Sequence, residues 1–187
     1  MTTVTRFKIA KSFAAIGVAV SAMLASSPAQ AQAVNGSVPA EIQVFRSLTI
    51  QVDRPLIFGA ILSGATDGVV TISANNANNT GTRTVPSAVD VPGVPFHSAQ
   101  ITIIGEANAN VQINNLPQAL DLACSCGDVM DLDPTDNLPP GRILTLSNPG
   151  GGLPGQATFY IGADATYAAG MRSGRYTGTV PISANYP

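Results

Sequence analysis

Residues 96–116, "FHSAQITIIGEANANVQINNL", decide the fold class. Ile101 and Ile103 alternate with Gln100 and Thr102, and Val111 and Ile113 alternate with Asn110, Gln112 and Asn114. A period of two places the apolar side chains of a strand on one face. The intervening residues are short, polar and glycine-bearing, as a turn requires. The stretch reads as a pair of half-buried strands, with Ile101 and Ile103 facing Val111 and Ile113.

The same alternation recurs outward from this pair. "EIQVFRSLTIQVD" (41–53) places Ile42 and Val44, then Leu48, Ile50 and Val52, on alternate positions. Arg46 interrupts the inward parity and predicts a bulge or break near Phe45–Ser47. "PLIFGAIL" (55–62) and "VVTIS" (69–73) flank a Gly- and Asp-rich turn and read as a hairpin. Residues 74–95 hold clustered Asn and three prolines, which predicts a long loop with at most one short strand. "RILTLS" (142–147) and "QATFYIGADATY" (156–167) are two further strands joined by "NPGGGLPG". The last strand is "GRYTGTVPISANYP" (174–187), with Tyr176, Val180, Ile182 and Tyr186 on its inward face. Pro181 cannot donate a ladder bond, so it marks an edge or a bulge and limits continuous pairing on one side. No segment keeps a 3.6-residue apolar period for ten residues without Gly or Pro. The outcome is an all-β antiparallel sandwich of about eight to ten short strands.

The first residues have a different character. Arg6, Lys8 and Lys11 precede an apolar run from Phe13 to Leu24, then "SSPAQAQA". This is the order of a secretory signal peptide, with cleavage expected after Ala31 or Ala33. The run is shorter than the about 20 residues of a spanning helix. Residues 1–31 are therefore read as a signal peptide and 32–187 as one sandwich domain. The expected location is outside the inner membrane, at the cell surface, extracellular or periplasmic.

The remaining chain has six arginines, no lysine and eleven acidic groups, a net charge near −5. A nucleic acid or an anionic membrane needs a basic face, so neither is expected as a partner, and no membrane insertion is expected. The single histidine, His97, has no nucleophile elbow or other catalytic surround. No catalytic residue, cofactor or resident metal is expected, and the chain is read as not an enzyme. Asp128, Asp131, Asp133 and Asp136 form a weak calcium candidate. Counted from Asp131, however, the EF-hand pattern fails at Asp136 and Arg142, so a solvated acidic loop is the plainer reading. Cys124 and Cys126 leave three readings open: a local disulfide, which is preferred, intermolecular bonds, or a redox pair.

"LTIQVDRPLIFGAILSGATDGVVTIS" (48–73) resembles the opening of a secreted bacterial family, domain of unknown function 4402 (DUF4402). The matching positions are Leu56, Phe58, Gly59, Gly68, Val70 and Ile72. "SAQITIIGEANANVQINNLP" (98–117) resembles the middle of that family. "YIGADATYAAGMRSGRYTGTVPISANY" (160–186) resembles its end, through Gly162, Gly174, Tyr176, Gly178 and Tyr186. The Asn-rich 75–95 loop and the "CSC…DLDPTD" region depart from the pattern. The family is similar to spore-coat-protein-U-type proteins and fimbrial subunits. That similarity implies an immunoglobulin-like, pilin-like sandwich completed by a strand from a neighbour. It also implies copies of itself or related subunits, and a periplasmic chaperone, as partners. On this reading "AVNGSVPAEIQVF" (33–45) is the donor, with Val34, Val38, Ile42 and Val44 as anchors, and the terminal strand borders the acceptor. The expected function is a subunit of a surface fibre, pilus-like filament or coat. The alternative is a monomeric binding module or adhesin using the 75–95 or 128–137 loops for carbohydrate or calcium.

Overall fold

The computed structural model describes residues 36–62, 64, 66–86 and 89–187. The signal-peptide reading and the anchor Val34 lie outside the described residues. Residues 36–48 carry no regular secondary structure. The strands are β1 (Thr49–Arg54), β2 (Gly68–Ile72), β3 (Arg83–Thr84), β4 (Ala99–Gly105), β5 (Asn110–Asn114) and β6 (Leu120–Cys124). They continue with β7 (Val129–Asp136), β8 (Ile143–Thr145), β9 (Gly155–Tyr167), β10 (Tyr176–Thr177) and β11 (Ser183–Asn185). One 3₁₀ turn, Ala77–Asn79, is the only helical element among the described residues. None of their helices is long and apolar enough to cross a membrane.

All pairings are antiparallel. The large sheet has eight strands, in the order β1-β4-β9-β7-β6-β10, with β2 also on β9 and β3 on β2. The small sheet runs β11-β5-β8. The chain is all-β, and the two sheets are consistent with a sandwich. Strand β9 is the spine, with Gly155–Ile161 pairing β4 and Ala163–Tyr167 pairing β2. Its opposite edge pairs β7 from Ile161 to Thr166. The handover falls at Gly162, where a Cβ would overlap the carbonyl oxygen of Ile72. Only glycine lets β2 approach that closely.

The predicted β4–β5 pair needs correction. Strands β4 and β5 belong to different sheets, so they are packed across the core and not hydrogen-bonded. Ile101, Ile103, Val111 and Ile113 do meet, in a cluster completed by Leu146, Phe159 and Ile161. Alternation fixes which side chains face inward but is silent about which backbone lies alongside. The predicted hairpin of 55–62 with 69–73 also fails. Ile57 bridges His97 and Ile61 bridges Asp90, while β2 pairs β3 and β9. The predicted break near Phe45–Ser47 is replaced by strand initiation at Thr49, and the irregular register falls between Val52 and Arg54. The acidic stretch, expected as a loop, is the strand β7 inside the large sheet.

The terminal stretch is not one strand. Tyr176 and Thr177 pair with Cys124 and Ala123 in the large sheet, whereas Ser183–Asn185 pair with β5 in the small one. The chain changes sheet across 178–182. Val180, Ile182, Ala184 and Tyr186 keep the inward parity and pack on the main core, but Tyr176 does not join them. The hydroxyl of Tyr186 donates to the carbonyl of Arg46 (2.8 Å) and accepts from the amide of Glu106 (2.8 Å). Its ring stacks on Phe45 with centroids 4.9 Å apart, and its hydroxyl lies where a Cβ on Gly105 would crowd it. The penultimate tyrosine thus ties the start of the folded chain to its end.

Candidate functional site: an apolar groove between two free backbone rails

The small sheet covers only one half of the large sheet's inner face. Beyond it lies a groove of about 730 Å³. Its floor includes Val70, Leu122, Met130, Leu132, Ala165 and Tyr167, from β2, β6, β7 and β9. One wall is the extended segment 55–61 and the other is the segment 172–180.

The first wall is held from its outer side. Ile57 exchanges both backbone hydrogen bonds with His97, each 2.8 Å. His97 Nδ1 contacts the carbonyl of Pro55 at 2.6 Å, and Arg83 Nη2 donates to the carbonyl of Ala60 at 2.9 Å. Arg83 is itself anchored by Asp90 at 2.5 Å. In an extended chain successive residues direct their amides and carbonyls to opposite edges. Leu56 and Phe58 therefore turn theirs away from His97, and among the described residues these groups have no hydrogen-bond partner. The side chains of both residues pack on Leu132, Ala163 and Ala165.

The second wall follows the same rule. Ile113 donates to the carbonyl of Arg142 (2.9 Å), and Leu146 donates to that of Ala109 (2.9 Å). The odd residues of β5 are thus spent on β8, and Gln112 and Asn114 serve β11. Their partners Asn185 and Ser183 point their backbone groups at β5. The unbroken inward parity of Val180, Ile182 and Ala184 carries this alternation back to position 180. Among the described residues the backbone groups of Val180 and Ile182 have no hydrogen-bond partner, and the β5 pairing begins only after Pro181, at Ser183.

The span containing both walls now has a sequence counterpart. The family model described as Domain of unknown function (DUF4402) matches residues 48–186. The chain belongs to this family. No curated protein and no solved structure matches the chain. Both walls, the groove floor and Tyr186 lie within the DUF4402 span, which starts at Leu48.

Within the DUF4402 domain the second wall is pinned to the turn after β6. Cys124 and Cys126 form a disulfide there. Arg172 Nη1 donates to the carbonyl of Cys126 (2.7 Å), and the amide of Arg172 donates to Asp128 Oδ2 (2.9 Å). The hydroxyl of Tyr176 donates to the carbonyl of Arg172 (2.9 Å) and lies 3.7 Å from Cys126 Sγ. Burial and then the Asp128 carboxylate push the Tyr176 phenol above its ordinary pKa. A Cβ at Gly174 would overlap Cys124 Sγ, and one at Gly178 would crowd Leu122.

The four carboxylates of the calcium candidate do not converge. Asp128 is engaged by Arg172, and Asp136 by Arg142 Nη2 (3.1 Å) and the amide of Leu138 (3.0 Å). Asp131 and Asp133 stand exposed on β7, with Asp121 opposite the first and Asp164 opposite the second. Among the described residues no group of three or more His, Cys, Asp or Glu is arranged to hold a metal ion. The 75–95 loop is tethered near its start, where Arg54 Nη2 donates to Asn76 Oδ1 (3.0 Å).

Of the donor anchors, Val38, Ile42 and Val44 are 91%, 86% and 81% exposed. With Ala40 they form the alternating series Val38-x-Ala40-x-Ile42-x-Val44, which has no strand partner among the described residues. The sequence reading missed Leu56, Phe58, Leu122 and Met130 as groove residues. Its one available signal was the Leu56/Phe58 alternation, which was read as half of a hairpin.

Proposed function

We propose that this chain is an exported, non-catalytic structural subunit whose groove accepts a β-strand from another copy, building a surface fibre or coat. The observation that carries the reading is an apolar floor flanked by Leu56 and Phe58 on one wall and Val180 on the other, whose backbone groups have no hydrogen-bond partner among the described residues. Such a site takes an extended segment by main-chain hydrogen bonds, and alternate side chains fill the floor. The chain carries a segment of that description, residues 38–44. Burying Val38, Ile42 and Val44 contributes about 1.5–3 kcal/mol each.

The point at which the segment joins the fold favours a neighbour over self-insertion. The extension leaves the domain at Phe45–Arg46, beside Tyr186. The first wall begins at Pro55, after β1 has run alongside β4. At ~3.3 Å per residue those ten residues span roughly 30 Å. A segment of one copy entering the groove of the next makes a heterologous, head-to-tail contact, which propagates as a filament when it does not close. Export follows the signal-peptide pattern of residues 6–31 and would place the disulfide in an oxidising compartment.

The test is an unboiled gel and an electron micrograph of material sheared from cells. The expected result is a ladder of multimers, visible as fibres, that collapses on strong heating. The ladder should disappear in the Val38→Asp/Ile42→Asp variant. A single monomer band from the unaltered chain would refute the reading.

A further inference from the structure

We propose that the Cys124–Cys126 disulfide is a redox-sensitive latch on the second wall of the groove. The inference rests on the groove being a strand acceptor and adds how that acceptor is controlled. Segment 172–177 has few other attachments. Its ladder contact is two residue pairs, Tyr176 with Cys124 and Thr177 with Ala123. Its remaining bonds run to the cysteine turn: Arg172 to the Cys126 carbonyl and to Asp128, with Tyr176 against Cys126 Sγ. Gly174 rests directly on Cys124 Sγ. The disulfide therefore sets the shape of the surface on which this wall is seated.

The sulfur atoms differ in access. Cys124 is 8% exposed, beneath Gly174, whereas Cys126 is partly open. A thiolate of a dithiol reductant attacks Cys126 Sγ, forming a mixed disulfide, and Cys124 leaves as a thiolate and takes a proton. The second thiol of the reductant then displaces Cys126, which is protonated in turn. Two electrons and two protons pass to the chain, and the reductant becomes a disulfide. The two sulfurs then need van der Waals separation instead of a bond. Gly174 leaves Cys124 no room on its side, so either the wall lifts or Cys126 and its carbonyl swing away from Arg172. Both movements release 172–177 and spoil one edge of the acceptor. The oxidised chain holds a strand and the reduced chain does not.

The test uses the full chain carrying Val38→Asp and Ile42→Asp, which removes its own donor and leaves the groove intact. The probe is a fluorescent synthetic peptide of residues 36–45. Its binding is measured on oxidised protein, after dithiothreitol, after reoxidation, and in a Cys124→Ser/Cys126→Ser version. The expected result is binding weakened roughly tenfold or more by reduction and by the double substitution, and restored by reoxidation. Amide exchange should accelerate at Tyr176 and Thr177 while β4 and β9 stay protected. Equal binding in both redox states overturns the latch and leaves the strand acceptor standing. Absence of binding in both states overturns the strand acceptor and the latch together. Loss of protection in β4 and β9 on reduction would make the disulfide a fold staple, and that too overturns the latch.

Discussion

The two halves of the large sheet's inner face are built from the same strand yet finished differently. Over Gly155–Ile161 of β9, the small sheet seals the core, and Phe159, Ile103 and Val111 are at most 1% exposed. Over Ala163–Tyr167, no second sheet is present, and the floor is framed by 55–61 and 172–180. The side chains of β9 change with the cover: Phe159 and Ile161 in the closed half, Ala163 and Ala165 in the open one. Both halves are buried, with Ala163, Ala165, Leu132, Val70 and Tyr167 at most 2% exposed, but one is covered by a sheet and the other by two wall segments with a groove between them.

The comparison can be broken most forcefully in the closed half. Phe159→Ala should lower stability by about 3–5 kcal/mol, because the small sheet cannot collapse into the space. Thermal unfolding measures it, and a loss below that of a groove residue would contradict the contrast. Next in size is Gly162→Val at the boundary between the halves. Its Cβ meets the Ile72 carbonyl, and overpacking of this kind costs about 1–3 kcal/mol. The β2–β9 ladder should lose amide-exchange protection before the β4–β9 ladder does. Tyr186→Phe removes one hydroxyl and two hydrogen bonds while keeping the ring, for about 1–2 kcal/mol by denaturant unfolding.

The open half should respond differently. Leu122→Ala on the floor should cost only about 1 kcal/mol in the chain with its donor removed, since the side chain is already partly exposed. The cost should grow when the 36–45 peptide is bound, and the same cost with and without peptide would erase the distinction. The smallest effect concerns Tyr176. Its raised pKa means the fold favours the neutral phenol. That contribution is fully present below the ordinary phenol pKa and is lost as pH rises through the raised folded value. Ultraviolet titration should show a late-titrating phenol component that disappears in Tyr176→Phe.

Alternation along β4, β5 and the 180–186 stretch made the inward faces legible in sequence, and with them the all-β class. Partnership was not legible, because two strands facing across a core show the same pattern as two strands side by side. That ambiguity produced the β4–β5 pair and the 55–62 hairpin. The sheet change between Thr177 and Ser183 was hidden as well, since Tyr176 keeps even parity while belonging to another sheet. The alternating apolar positions at 38–44 were visible from their spacing. The groove was not, because its walls lie more than a hundred residues apart in the chain and only Tyr176 and Thr177 of them form a strand.

The most direct test of the acceptor half mixes two defective chains. One carries Val38→Asp and Ile42→Asp and can only accept; the other carries Leu122→Glu and can only donate. Light scattering after size-exclusion chromatography should find each alone as a monomer and the mixture as a one-to-one dimer that grows no further. A mixture that stays monomeric, or single variants that still form multimers, would contradict strand addition at the groove.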